Sequence, residues 1–246
     1  MIAAPEVQLR LLDLQALDAK LDQLAHRRRT LPGLAEHAAL ELRYGQLADL
    51  LVAAAAAETD LARAQAKAEA AVDQVRAREE RDRGMLDGGH VGAKEAVSLQ
   101  SELESLARRQ TALEDEVLEV MERVEAAAAR SAELAKQRDA AEADRDRAAA
   151  QLAADRESID KDAAFAKQQR DVLSVQLPAD LLALYEKIRA QYGGIGAAAI
   201  VRRRCEGCRL ELDISEVNAL RSAAPDAVLR HDSCRRIIVR TSNSGI

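Results

Sequence analysis

Apolar residues recur every three or four positions along most of this chain of 246 residues. One run begins at Leu14 and ends at Leu24, a second extends from Leu40 to Val75, and a third from Leu99 to Leu134. A spacing that averages 3.5 residues places apolar side chains on one stripe of a helix, which predicts a left-handed coiled-coil seam. Polar residues interrupt the seam at a few positions, namely Glu58, Gln65 and Gln110.

The placement of glycine and proline divides this seam into two arms. Neither residue occurs in residues 46–83 or 93–177, whereas four glycines fall within residues 84–92. We therefore predict one helix over residues 5–83, a turn at 84–92 and a second helix over 93–173, with a kink or break at Pro32-Gly33. Two arms of nearly equal length favour an antiparallel hairpin that occupies residues 1–175 and has its tip at 84–92.

Composition supports long helices rather than one ordinary globule. The chain has one Phe, three Tyr and no Trp, while 32% of its residues are charged and much of its apolar content is alanine. This composition is typical of coiled coils, and the regular apolar repeat argues against disorder. No apolar run is long enough for a transmembrane helix, and Met1 to Leu14 lacks the apolar core of a secretory signal, so we expect a cytoplasmic protein without a membrane partner.

The coiled-coil repeat of apolar residues ends before Leu177, and shorter elements follow. A short amphipathic helix is predicted from Pro178 to about Gly193, and short β-like runs follow at 199–201, 210–212, 228–229 and 237–239, with a short helix at 214–221. Residues 176–246 are therefore predicted to form a connecting helix and a small β domain. A core this small usually needs a disulfide or a metal to hold it together.

Two short motifs in this region can supply that metal site. Cys205-x-x-Cys208 and His231-x-x-Cys234 include every cysteine of the chain and one of its four histidines. Two tight turns that each give ligands at i and i+3 can close a tetrahedron around Zn²⁺, which is the spacing of a zinc ribbon. Because four ligands are available, a closed structural zinc site is favoured over a catalytic site, which keeps one position open.

Two other interpretations of these residues are open. Cys205 and Cys208 can form a thioredoxin-like redox pair, but that pair normally sits in a βαβ unit, which the sequence lacks. His231 can instead be an exposed basic side chain beside a ribbon that has lost its metal. The pairing of the two motifs favours the zinc site over both.

The chain resembles a family of bacterial C4-type zinc-ribbon proteins with an N-terminal coiled-coil hairpin, and in particular its actinobacterial members. The residues that carry the resemblance are Gly88 to Glu95 running into Leu99-Gln100-Ser101-Glu102, Cys205-Glu206-Gly207-Cys208, and Cys234 to Val239. Family members usually have cysteine where this chain has His231. The resemblance implies a non-enzymatic adaptor, and some relatives look like binders of RNA or of transcription and secretion components.

Charge is distributed unevenly along the chain. Residues 197–246 contain nine arginines and six acidic residues, which gives them a net charge of +3. Because the whole chain has a net charge of −6, residues 1–196 have a net charge of −9. Arginine suits bidentate contacts with phosphate. Five arginines flank the two motifs and are the predicted nucleic-acid-binding residues: Arg202, Arg203, Arg204, Arg235 and Arg236. The alternative is a solvated strand face whose arginines pair with the nearby acids.

The sequence thus predicts a mainly α protein, a long antiparallel coiled-coil hairpin with a small C-terminal β zinc ribbon. We expect a non-enzymatic cytosolic adaptor whose ribbon contacts RNA, DNA or a nucleic-acid-handling protein and whose coiled coil contacts protein partners. The alternative is a protein–protein scaffold that never binds nucleic acid. A small-molecule substrate is not expected, since Gly88-Gly89 lacks the Gly-Lys-Ser/Thr ending of a P-loop and no other catalytic constellation is visible.

Overall fold

A computed structural model of the protein describes all 246 residues. It is mainly α-helical, with five helices and four short strands. In chain order these are α1 (Pro5–Arg29), α2 (Gly33–Asp87), α3 (Ala93–Ser174), α4 (Ala179–Gln191), β1 (Ala197–Val201), β2 (Arg204–Cys205), α5 (Ile214–Ser222), β3 (Leu229–Arg230) and β4 (Ile237–Val239). No helix combines the length and the hydropathy that a membrane span requires.

The chain packs as two compact units, one of residues 35–149 and the other of residues 1–34 with 150–246. Within residues 35–149, α2 and α3 form an antiparallel coiled coil. Leu47 packs with Leu134 and Ala141, whereas Arg76, farther along α2, pairs with Glu114, an earlier residue of α3. Buried seam positions of this unit include Leu47, Ala68, Val72, Val75, Leu106, Val120 and Leu134, which confirms the heptad prediction.

The tip of the hairpin lies where the glycines predicted it. Helix α2 continues through Gly84 and ends at Asp87, four residues later than expected, because an isolated glycine is tolerated inside a helix. The reversal itself uses Gly89, whose φ of +69° lies in the left-handed region that glycine adopts readily. Helix α3 then begins at Ala93, as predicted.

The first arm is broken at Pro32. Helix α1 ends at Arg29 and α2 begins at Gly33. Leu31 is buried inside this break, where it packs with Leu24, Leu152 and Ile159. Because Pro32 has no amide proton, a continuous helix would lose a hydrogen bond there, which accounts for the break.

A larger core joins α1, α4 and the sheet in the unit of residues 1–34 and 150–246. Its central side chain is Tyr185, which is fully buried among apolar residues that include Leu11, Leu14 and Val239. The chain passes close to this ring at Gly196, where an added Cβ would lie 2.7 Å from the ring carbons. Glycine is therefore needed at that position for β1 to pack on α4.

A buried polar network crosses the same core. Asp18 is 1% exposed, and its side chain accepts hydrogen bonds from Arg170 Nε (2.6 Å) and from the Tyr185 hydroxyl (2.7 Å). Burial and the neighbouring Asp18 carboxylate raise the pKa of Tyr185 above its ordinary value, so the phenol stays protonated and keeps donating. The network therefore ties α1 to both α3 and α4.

Gln15 extends this connection to the start of the sheet. Its Oε1 accepts a hydrogen bond from the Gly196 amide (2.7 Å), and its Nε2 donates to the Gly194 carbonyl (3.0 Å). Since Gly194 and Gly196 immediately precede β1, α1 sets where the sheet begins.

The four strands form one sheet in the order β2-β1-β4-β3. Strand β1 is parallel to β4, with Ala198 opposite Ile238, and the two outer strands are antiparallel to their neighbours. The predicted strand at 210–212 is wrong, since that segment contributes only an isolated bridge between Glu211 and Arg204. The boundary predicted near residue 175 differs from the packing units and stays a prediction.

Candidate metal centre

The two ligand motifs lie at the ends of the two outer strands. Cys205 is the last residue of β2, and His231 follows β3 directly. One donor atom from each of Cys205, Cys208, His231 and Cys234 falls in a cluster in which all four atoms lie within 4.8 Å of one another. The structure therefore brings together the four predicted ligands, from segments far apart in the sequence.

The spacing of the donor atoms fits a tetrahedral zinc site. His231 Nδ1 lies 3.3 Å from Cys208 Sγ and 3.1 Å from Cys234 Sγ, and the sulfurs of Cys205 and Cys234 are 4.0 Å apart. With Zn–S near 2.3 Å and Zn–N near 2.0 Å, tetrahedral geometry requires about 3.8 Å between two sulfurs and about 3.5 Å between sulfur and nitrogen. Three thiols and one imidazole are a common donor set for structural zinc.

The thiols of Cys205 and Cys208 differ in acidity. Burial raises the pKa of Cys205 to about 12. Burial acts in the same direction on Cys208, but hydrogen bonds from the Leu210 amide and from the other two thiols outweigh it, so its pKa lies below the ordinary value. Because zinc binds thiolates, ion binding must release the proton that burial keeps on Cys205.

The backbone of the two metal-binding turns, which we call knuckles, follows the same hydrogen-bond pattern. In the first knuckle (residues 204–210), the Arg209 amide donates to the Cys205 carbonyl (2.7 Å) and the Cys205 amide donates to Leu210 (3.0 Å). The second knuckle (residues 230–236) has the equivalent bonds: the Arg235 amide donates to the His231 carbonyl (2.7 Å), and the His231 amide donates to the Arg236 carbonyl (3.0 Å). The two halves of the site are therefore built alike.

Each knuckle also places an arginine in an unusual backbone conformation. Arg209 has a φ of +65° and Arg235 a φ of +59°, and each directly follows the second ligand of its knuckle. The left-handed region costs a residue with a Cβ about 1–2 kcal/mol, so glycine is the residue expected there.

The β-turn between β1 and β2 also contains arginines with positive φ. Val201 pairs with Arg204, so the turn consists of Arg202 and Arg203, with φ of +48° and +63°. Two positive φ values in a two-residue loop are typical of a type I′ turn, which normally contains Asn-Gly. The Arg202 amide donates to the Asn243 carbonyl and the Arg203 amide to the Ser244 carbonyl, both at 2.8 Å, so the turn packs against the C-terminal segment.

Comparison with known proteins identifies the architecture. Residues 14–193 match the CT398-like coiled coil hairpin domain. The chain belongs to the CT398-like family. Residues 204–238 match the C4-type zinc ribbon domain, a range that contains all four clustered ligands.

Relatives of this CT398-like chain cover nearly its whole length. A protein of Mycobacterium tuberculosis is 38% identical over 235 residues, which are 95% of each chain. One from Mycobacterium leprae is 31% identical over 224 residues, covering 87% of this chain and 92% of the relative. A solved structure from Mycobacterium smegmatis superposes with a TM-score of 0.86 at 36% identity and covers 98% of this chain and 100% of that one.

More distant solved structures share the fold. CT398 from Chlamydia trachomatis superposes with a TM-score of 0.68 at 16% identity, over 96% of this chain and 98% of that one. The resemblance seen in the sequence, to zinc-ribbon proteins with a coiled-coil hairpin and to actinobacterial members in particular, is therefore confirmed.

The structure places the five predicted arginines of this CT398-like chain in different environments. Arg202, Arg203, Arg204 and Arg235 are exposed. Arg236 is half-buried, and its guanidinium donates to the carbonyls of Tyr192 (2.7 Å) and Ile195 (3.1 Å). Arg209, which is not among the predicted residues, is also exposed, and its position after Cys208 matches that of Arg235 after Cys234. The sequence itself shows this equivalence, because the pattern Arg-ligand-x-x-Cys-Arg occurs at 204–209 and again at 230–235.

Proposed function

We propose that the ribbon of this protein binds the phosphate backbone of RNA or DNA, while its coiled-coil hairpin binds protein partners. The coiled-coil and zinc-ribbon domains fit a non-enzymatic scaffold. The nucleic-acid contact is the step beyond that scaffold.

One observation carries this proposal. Every non-glycine residue with positive φ in the chain is an arginine of the ribbon, and these residues are Arg202, Arg203, Arg209 and Arg235. Glycine would adopt the same backbone at about 1–2 kcal/mol lower cost at each position. Arginine at four strained positions supports a role for the guanidinium groups, since strained residues cluster at binding sites.

These side chains are also available to a ligand. Those of Arg202 and Arg209 are exposed and make no hydrogen bond or ion pair within the chain. Arg203 uses only its Nε, on the Gly245 carbonyl, and Arg235 lies 3.9 Å from Asp232, an exposed ion pair of little strength. Each therefore keeps guanidinium N–H groups for a phosphate.

The remaining two predicted arginines contribute less. Arg204 donates its Nε to the Arg209 carbonyl but remains exposed, so its terminal nitrogens stay free. Arg236 is the weakest of the five because its guanidinium already binds two carbonyls. The ribbon, residues 197–246, contains no aromatic residue for base stacking, so binding through these arginines should tolerate sequence and weaken with salt.

Fluorescence anisotropy with a labelled single-stranded RNA and a labelled DNA duplex tests the proposal. Arg209→Gly and Arg235→Gly remove a guanidinium and relieve the backbone, so each should bind nucleic acid more weakly while raising the free energy of unfolding by about 1 kcal/mol. Loss of each phosphate contact should reduce the slope of log K against log salt by about 0.7–0.9. Arg221→Gln is the control, because Arg221 is an exposed arginine on α5 outside the knuckles.

A zinc-loaded protein that binds neither RNA nor DNA at about 50 mM salt would contradict the proposal. The protein–protein scaffold without nucleic-acid binding would then be the better description. Binding that is lost equally in the Arg221→Gln control would contradict the assignment of the contact to the knuckles and the β1–β2 turn.

A further inference from the structure

The second nitrogen of His231 faces a buried carboxylate. The imidazole is 0% exposed, and with Nδ1 directed at the sulfurs its Nε2 points away from the cluster and has no hydrogen-bond partner. The nearest acceptor is Glu216 Oε1, at 3.6 Å, and Glu216 is itself only 8% exposed. This distance is a few tenths of an ångström longer than a hydrogen bond, so the two atoms face each other in the structure without one.

The position of the Glu216 carboxylate is fixed from two sides. Its Oε2 accepts from the Asp213 amide (3.1 Å), while the Asp213 side chain accepts from the Glu216 amide (2.8 Å), a capping box at the start of α5. Its Oε1 accepts from the amide of Asp232 (2.9 Å), the residue next to His231. Helix α5 thus holds one carboxylate oxygen against the second knuckle.

We propose that Glu216 is a positioning residue that selects imidazole as the fourth ligand and orients it to bind metal through Nδ1. A neutral imidazole that binds through Nδ1 carries its proton on Nε2, and a buried N–H without an acceptor is destabilising. The Glu216 carboxylate accepts this proton in a hydrogen bond, fixes the tautomer and makes Nδ1 a stronger donor.

The same carboxylate disfavours the cysteine that a C4-type ribbon has at this position. A thiolate at residue 231 offers no N–H to Glu216, and the carboxylate would be buried beside a site already carrying several thiolates. The carboxylate would keep its two amide donors, from Asp213 and Asp232, but it would lose the imidazole N–H and face a further negative charge in a buried site, which is unfavourable. Glu216 and His231 therefore form a matched pair in this chain.

A double-mutant cycle on the full-length protein tests the pairing. The four proteins are the wild type, Glu216→Gln, His231→Cys and the double variant. Zn²⁺ affinity is measured by competition with a chromophoric chelator, and the visible absorption bands of the Co²⁺ form report the ligand field. We expect Glu216→Gln to weaken Zn²⁺ binding about 10- to 100-fold and to shift the Co²⁺ bands when residue 231 is histidine. We expect no loss when residue 231 is cysteine.

A purely structural role of Glu216 in capping α5 predicts a different result, namely the same loss in both backgrounds, and that result would overturn the proposal. Asp213→Ala is the matched control, since it removes the side-chain acceptor of the same capping box without changing His231 or Glu216, and it should leave the Co²⁺ bands unchanged. If Glu216→Gln alone does not fold, zinc-dependent folding of the double variant supports the pairing, and failure of both variants overturns it.

Discussion

Arg204 and Arg230 make the same contact in the two knuckles. The guanidinium Nε of each donates to the carbonyl oxygen of the residue that follows the second ligand, Arg209 at 2.8 Å and Arg235 at 2.7 Å. Each arginine thus spans its knuckle from the residue before the first ligand to the residue after the second. The side chain adds a third hydrogen bond to the two backbone bonds that close the turn.

This contact predicts a role for Arg230 in metal retention. Arg230→Gln removes the guanidinium hydrogen bond, worth about 1 kcal/mol, so apparent zinc affinity should fall roughly fivefold. Chelator competition measures the change, with Arg221→Gln as the control for loss of an exposed positive charge. Equal zinc affinities of the two variants would show that the Arg230 contact does not hold the knuckle.

The buried carboxylate of Asp18 predicts a large effect on stability. Asp18→Ala removes the acceptor that Arg170 and Tyr185 share, and because Arg170 keeps its ion pair with Glu186 the loss should cost about 2–3 kcal/mol. Tyr185→Phe removes one hydrogen bond and should cost about 1–2 kcal/mol. Urea unfolding measures both changes.

Asp22→Ala is the matched control for Asp18. Asp22 pairs with Arg189 near the surface of the same core, and its side chain is 56% exposed, so its loss should cost less than about 1 kcal/mol. A cost for Asp18→Ala no larger than that of Asp22→Ala would contradict the network's role in joining α1, α3 and α4.

The coiled-coil seam predicts a contrast between two leucines of α3. Leu134 is 3% exposed and packs against Leu47, so Leu134→Ala should lower the free energy of unfolding by about 2–5 kcal/mol. Leu118 is 60% exposed, and Leu118→Ala should change the free energy of unfolding by less than about 0.5 kcal/mol. Similar costs for both substitutions would mean that the seam does not run through Leu134.

The sequence predicted the features that depend on local spacing. The apolar repeat located the buried seam, the glycines located the tip, and Pro32 located the break between α1 and α2. The spacing of Cys205, Cys208, His231 and Cys234 predicted four donors that the fold brings within 4.8 Å. The tip and the break lie within a few residues of their signals, whereas the metal centre joins two short motifs whose internal spacing is local.

Features that depend on contacts between distant segments could not be predicted in the same way. Asp18 looked like one more surface charge of a helix, because its partners Arg170 and Tyr185 follow more than 150 residues later. Glu216 looked like a helix cap, which it is, and only the fold shows that it also faces His231. The segment at 210–212 has strand-like alternation but lacks a neighbouring strand long enough to pair with it.

Metal analysis of the purified protein tests the central claim most directly. A site built from Cys205, Cys208, His231 and Cys234 predicts one Zn²⁺ per chain in the wild type and loss of most of that zinc in His231→Ala, because three thiolates remain but the tetrahedron is open. Full zinc occupancy in His231→Ala would contradict the account, since it would remove His231 from the site.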